Sequence, residues 1–232
     1  MNDRLLPVFH RQGQAAGPQK NHRMVVKVCG LTRLDQALAC ARAGADAIGL
    51  VFYPPSPRHV GGDQARAICR ILPKTVARVG VFVDAGLEVI LNKVRLCGLT
   101  AVQLHGNEAP AMVEALLGHG LAVIKAVFAA RPPLIAEAAA FRPSAFLVEC
   151  GRGRLPGGNA QQWDWAGAAA MARPFLLAGG LNPGNVADAI AAACPDGVDV
   201  SSGVEIAPGD KDIAAVKAFV HNVRQTHVRR PG

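Results

Sequence analysis

The chain has 232 residues, 50% of them hydrophobic, which is enough for one domain with a sizeable core and excludes a chain disordered as a whole. Its net charge of +8 lies mostly at the ends, with +3 in residues 1–23 and +3 in residues 224–232, and no aromatics interleave with the C-terminal arginines, so nucleic acid is not the expected partner. No apolar run is long enough to cross a membrane, and the six scattered cysteines show no metal-ligand spacing, so a reduced cytoplasmic protein without a metal is expected.

Residues 1–23 lack the apolar stretch of a secretory signal, and the Gln-, Gly- and Pro-rich part from Arg11 to Asn21 predicts a disordered N-terminal extension. Met24, a plausible alternative start, opens onto the first strand. From there, short apolar or β-branched runs alternate with Ala/Leu/Arg stretches of helical period. Strands are expected at Val25–Cys29, Ala47–Val51, Arg78–Val83, Ala101–Leu104, Ala122–Val127, Ala145–Glu149, Phe175–Ala178 and Gly197–Val200. Helices are expected at Leu34–Ala43, Asp63–Leu72, Leu87–Cys97, Ala109–Leu117, Leu134–Phe141, Val186–Ala193 and Asp212–Val223, with Gly44 and Gly98 at helix C-termini and Asn185 or Pro183 opening a late helix. This gives an N-terminal extension (1–23), one catalytic domain (24–223) and a basic tail (224–232).

Strands apolar on both faces and separated by helices imply a parallel sheet covered on both sides. Eight such units in about two hundred residues predict an α/β fold, a single (βα)8 TIM barrel. An open doubly wound sheet is the runner-up, but Cys29-Gly30-Leu31-Thr32 follows the first strand where that fold would carry a G-x-G-x-x-G turn. A barrel further predicts that polar residues at the carboxyl ends of the strands are functional.

The strand ends carry such residues. Lys27 and Cys29 share a face of the first strand; the cysteine is either a small core residue or, with its thiol pKa lowered by the neighbouring cation, a usable base. Arg58, in the proline-stiffened loop Tyr53-Pro54-Pro55-Ser56-Pro57-Arg58, is either a surface residue or a two-pronged grip for a carboxylate at the barrel mouth. Asp84 is expected to cap a helix. Gln103 and His105 share one face of the fourth strand. Lys125 lies in a buried strand, where an unpaired ammonium is costly, and this marks it as a functional candidate. The runs Leu176-Leu177-Ala178-Gly179-Gly180-Leu181 and Val198-Asp199-Val200-Ser201-Ser202-Gly203 end in residues whose backbone N–H groups can approach an anion, and in a barrel the loops after strands seven and eight form a phosphate site.

In this order the motifs closely resemble those of the phosphoribosylanthranilate isomerase family of tryptophan biosynthesis. Lys27-Val28-Cys29-Gly30-Leu31-Thr32, Phe52 to Arg58, Gln103-Leu104-His105-Gly106, Gly179-Gly180-Leu181-Asn182-Pro183 and Asp199 to Glu205 all match, over Val25 to about Val220. The resemblance implies an Amadori rearrangement of N-(5′-phosphoribosyl)anthranilate by general acid and base, with Cys29 as base and Arg58 on the anthranilate carboxylate. It puts Gly179, Gly180, Ser202 and Gly203 at the phosphate, with Gln103 and His105 also binding substrate and Asp199 orienting the eighth loop. No cofactor is implied, because the imine formed on ring opening is its own electron sink; the chain would act as a monomer or homodimer. The resemblance breaks at strand six, where the family's acid is aspartate and this chain has Glu149, one methylene longer. Asn159-Ala160-Gln161-Gln162 also replaces an expected Thr-Gly pair and basic residue.

Two further enzymes fit less well. An aminoimidazole-type Amadori isomerase would need paired aspartates at strands one and five, where this chain has Cys29 and Lys125 or Ala126. A pentose-phosphate epimerase would carry His and Asp metal ligands on several strand ends. A barrel that binds a phosphosugar with weak or no turnover stays open because of Glu149.

Overall fold

Eight short segments carry apolar residues at odd and even positions alike, so each must bury both faces. In the computed structural model, which describes residues 23–153, 161–171 and 174–226, they do so by closing on themselves. The strands β1 (Val25–Cys29), β2 (Ala47–Val51), β3 (Ala77–Phe82), β4 (Ala101–Leu104), β5 (Ala122–Phe128), β6 (Ala145–Glu149), β7 (Phe175–Leu177) and β8 (Gly197–Val200) pair in parallel, each with the next. β8 returns to β1 with Gly197 opposite Val25 and Asp199 opposite Lys27, so the expected (βα)8 barrel is formed.

Alternation along the strands divides the core in two. Small inward residues, among them Ala47, Ala77, Ala101, Ala122, Ala126 and Ala145, fill the narrow interior. Larger outward ones such as Ile48, Leu50, Phe82, Val123, Phe146 and Phe175 pack against the helices. These are α1 (Leu34–Arg42), α2 (Gly62–Ile71), α3 (Leu87–Cys97), α4 (Pro110–Gly118), α5 (Val186–Ala193) and α6 (Ile213–Gln225). Gly44 and Gly98 end α1 and α3 with φ of 103° and 69°, and Asp212 caps α6 by accepting from the N–H groups of Ala214 and Ala215. None of the helices among the described residues is long and apolar enough to cross a membrane.

The structure departs from the expected elements at three places. The segment expected as an α-helix over Leu134–Phe141 is a 3-10 helix, Ile135–Ala140, confined between Pro133 and Pro143, with Ala138 its one buried residue. A hairpin of β9 (Glu205–Ala207) and β10 (Asp210–Lys211) interrupts the path from β8 to α6, turning at Pro208-Gly209. The third departure is Arg224, assigned to the basic tail, which belongs to α6 and to the barrel. The extension (1–22) and the rest of the tail (227–232) lie outside the described residues.

The Arg224 guanidinium donates to the carbonyl of Met24, to that of Gly44 at 3.1 Å and to Asp46 Oδ2 at 2.7 Å. Asp46 Oδ2 in turn accepts from Val26 N–H at 2.9 Å, so one contact ties the last helix to the first strand. Arg224→Ala should cost about 2 kcal/mol, the worth of charge-assisted hydrogen bonds that are partly exposed, and lower the melting temperature by about 4–8 °C. Urea denaturation and a thermal melt check this; an unchanged midpoint would reduce the clamp to a surface contact.

Candidate active site

Cys29 ends β1 on the inner face, directly above Lys27. Its neighbour across the sheet is Gly49, where a Cβ would lie 2.6 Å from the thiol sulfur, so the glycine inside β2 makes room for the side chain. Lys27 is fully buried and its Nζ lies 2.9 Å from Asp199 Oδ1. Burial works against the ammonium, but Asp199 and the adjacent thiol outweigh it and hold the Lys27 pKa above its ordinary value. Lys27 does pull the thiol pKa down, as expected, but not below its ordinary value. Burial pushes the Cys29 thiol up, and Lys27 and Lys211 offset this only in part, because Asp199, which matches the charge of Lys27, itself opposes a thiolate. Asp199 was also expected to orient the eighth loop, and its hydrogen bond goes to Lys27 inside the barrel.

The ends of β4 and β6 form a second group. Gln103 Nε2 donates to His105 Nδ1 at 2.9 Å, which leaves the ring proton on Nε2, and Nε2 lies 3.1 Å from Glu149 Oε2. The edge of His105 meets Phe128, with ring centroids 5.4 Å apart. All three side chains of the relay are buried. Asp84 does not cap α3. At φ 51° it accepts from Asn107 N–H at 2.6 Å, close under Gly106, and so pins the loop after His105. Lys125, singled out as a functional candidate, faces away from the cavity on the outer side of β5. It pairs with Glu108 at 2.8 Å and donates to the Gly106 carbonyl at 2.7 Å, holding the same loop from behind.

After β7, Gly179 and Gly180 have φ of 90° and 69°, and a Cβ on Gly180 would lie 2.6 Å from the Gln162 nitrogen. The indoles of Trp163 and Trp165 donate to the carbonyls of Ala178 and Gly179, and the Asn185 amide donates to the Gly180 carbonyl, which fixes the turn. With the carbonyls so held, the backbone N–H groups of Gly179, Gly180 and Ser202 have no hydrogen-bond partner among the described residues. Gly203 stands behind this wall: a Cβ there would lie 1.8 Å from the Leu181 carbonyl oxygen. It lets the seventh and eighth loops touch.

One cavity collects these groups. Cys29, Arg58, Gln103, His105, Glu149, Gly179, Gly180, Asp199 and Ser202 all line it, and Gly203 does not. Tyr53, Ser56 and Ser201, which lie in the motifs named above without having been singled out, join them. Arg58 is buried, not displayed at the rim, and its guanidinium already grips Glu205. Glu205, Lys211 and the two tryptophans, which hold cavity-lining groups, were not singled out; the paired Trp-Asp-Trp of 163–165 and the charges flanking Pro208-Gly209 were the signals available.

A closed βα barrel with an anion-ready wall on one side of its mouth and ionisable groups on the other defines an enzyme of the phosphate-binding barrel class. Residues 26–222 match the family described as N-(5′-phosphoribosyl)anthranilate (PRA) isomerase. The chain belongs to this family. It is 50% identical over 205 residues to the N-(5′-phosphoribosyl)anthranilate isomerase of Desulfatibacillum aliphaticivorans, covering 88% of this chain and 94% of the relative. The crystal structure of the Thermotoga maritima isomerase, an enzyme also described as dimeric, superimposes with a TM-score of 0.79 at 39% identity, covering 86% of this chain and 98% of the other. A further isomerase structure, at TM-score 0.76, 39% identity and the same coverage, holds reduced 1-(o-carboxyphenylamino)-1-deoxyribulose 5-phosphate.

Because Gly203 seats one loop against the other, Gly203→Ala should force them apart. We expect a loss of roughly 2 kcal/mol from overpacking and at least tenfold weaker inhibition by inorganic phosphate. A melt and a phosphate inhibition curve read the two effects; a variant with unaltered phosphate binding would detach Gly203 from the wall.

Proposed function

We infer that this chain converts N-(5′-phosphoribosyl)anthranilate to 1-(2-carboxyphenylamino)-1-deoxyribulose 5-phosphate, the Amadori rearrangement of tryptophan biosynthesis. The observation that carries this reading is that Cys29, Arg58, His105, Glu149, Gly180 and Ser202, from six different strand ends of a family member, line one cavity. The phosphate lies on the N–H groups of Gly179, Gly180 and Ser202, and Arg58 takes the anthranilate carboxylate. This fixes both ends of the substrate and brings the ribose between Cys29 and Glu149.

Glu149 protonates the ribose ring oxygen, the C1′–O bond breaks, and the lone pair of the anilino nitrogen forms the imine. His105 Nε2–H on Oε2 orients the acid and stabilises the carboxylate left behind. The Cys29 thiolate then removes the proton from C2′, giving an enolamine that tautomerises to the ketone. Gln103 sets the His105 tautomer, and Lys27 with Asp199 supports Cys29 from below. This reading places the chain in the reduced cytoplasm, acting on a small phosphorylated substrate as a monomer or homodimer.

Growth of a bacterium lacking this isomerase on medium without tryptophan, with this chain supplied, is expected. Tight binding of the reduced product analogue without rescue would favour a barrel that binds the ligand and does not turn it over. In the purified enzyme Cys29→Ala should abolish turnover and leave analogue affinity within a few-fold, since a base acts in the transition state. The buried thiol must lose a proton to act and its pKa is raised, so the rate of Cys29 alkylation, which reads the thiolate alone, should climb about tenfold per pH unit through neutrality. A flat alkylation rate in that range would show a thiol already ionised, and full turnover in Cys29→Ala would remove Cys29 from the role.

The acid is tested separately. Glu149→Gln should lower kcat by at least about a hundredfold, the worth of a general acid. Glu149→Asp, the family's shorter carboxyl, should keep or raise kcat. Wild-type turnover in Glu149→Gln would show that the ring oxygen takes its proton elsewhere.

A further inference from the structure

Arg58 faces a substrate carboxylate in the reading above, yet it is bound in advance to a carboxylate of its own. Glu205 Oε1 accepts from Arg58 Nε at 2.9 Å, and Oε2 accepts from Nη2 at 2.6 Å. Across the β9–β10 hairpin from Glu205 stands Lys211, whose Nζ donates to Glu205 Oε1 at 2.6 Å and to the Ser201 carbonyl at 3.2 Å. The Gly209 N–H adds a further bond to Oε1 at 3.2 Å. The side chains of Glu205 and Lys211 are 4% and 0% exposed. Two cations and one anion are therefore buried beside the cavity, an expensive arrangement that leaves one positive charge unmatched.

The remaining edge of Arg58 is what the cavity can use. A guanidinium gripped through Nε and Nη2 keeps a second two-pronged face, made of one N–H of Nη1 and one of Nη2. Among the described residues Nη1 has no hydrogen-bond partner. The stem of Arg58 is held as well, because it crosses Gly30 where a Cβ would lie 2.5 Å from Cδ. Ser201, which accepts from Lys211, also donates from Oγ to the Cys29 carbonyl at 3.0 Å. The grip on Arg58 is thus continuous with the turn that carries the thiol.

We propose that Glu205, anchored by Lys211, is the positioning residue of the carboxylate subsite: it fixes the Arg58 guanidinium so that its Nη1/Nη2 face meets the substrate carboxylate. This rests on the reading that Arg58 takes that carboxylate. Burial alone would raise the Glu205 pKa, but the Arg58 hydrogen bonds and the Lys211 charge hold it below its ordinary value, so the anion of the triad persists at working pH.

Steady-state kinetics of Glu205→Gln, Arg58→Ala and the double variant test the proposal. Glu205→Gln should raise KM about tenfold with kcat within twofold, the pattern of lost uniform binding. In the Arg58→Ala background the same change should add nothing, because Glu205 acts through Arg58. Inhibition by inorganic phosphate should stay the same in both single variants. Equal effects of Glu205→Gln with and without Arg58, or an unchanged KM in Glu205→Gln while Arg58→Ala raises it, would overturn the proposal. An unchanged KM in Arg58→Ala would instead sink the underlying reading and the proposal with it. If Glu205→Gln does not fold, Glu205→Asp, which keeps the charge and shortens the reach, carries the same cycle.

Discussion

Lys27 and Asp199 face each other across the seam where β8 returns to β1, and their ion pair sits inside the barrel where water cannot screen it. Removing either partner would leave a lone charge in the interior, so the pair fixes the register in which the last strand meets the first. It also decides what the strand ends can do. Lys27 is spent on Asp199, which leaves the thiol above it under the control of burial. Burial holds the Cys29 thiol pKa above its ordinary value, which favours the neutral thiol in the empty cavity.

A similar economy runs through the loops. Groups that touch the cavity are held in place by others: His105 by Gln103, which also lines it, the loop after His105 by Lys125 and Glu108, and the Gly179–Gly180 turn by two indoles and Asn185. Rigid strands set the distance between Glu149 and Cys29, and these surrounding contacts set the angles. Preorganisation of this kind lets substrate binding energy go into orientation and spares the cost of freezing the site.

How far the sequence could be read follows from the range of each interaction. Strand positions and the barrel were legible because they depend on local period, and β1, β2, β4, β6 and β8 run over the expected residues. That polar residues at strand ends would line one cavity was legible because a barrel gathers them wherever they fall in the chain. Contacts between residues far apart in sequence were not. The partner of Arg58 lies 147 positions away, and nothing local marks it. Lys125 was misread for a related reason: alternation shows that it shares a face with Val123 and Val127, but only closure of the barrel decides which face is inside. The Ala-rich run at 135–140 has the propensity of an α-helix, and the prolines on either side were the stronger signal.

The chain has two tryptophans, and both indole N–H groups are engaged by the turn that forms one side of the anion-ready wall. Its ultraviolet emission is therefore a local signal, dominated by a few residues around Ala178 and Gly179. An anion settling on that wall alters the field at the indoles, so quenching or a spectral shift can register occupancy by an unlabelled ligand. For the same reason, an emission-based unfolding curve selected for tryptophan follows this corner of the barrel, and the opposite wall, around β2 and β3, contributes only through Tyr53.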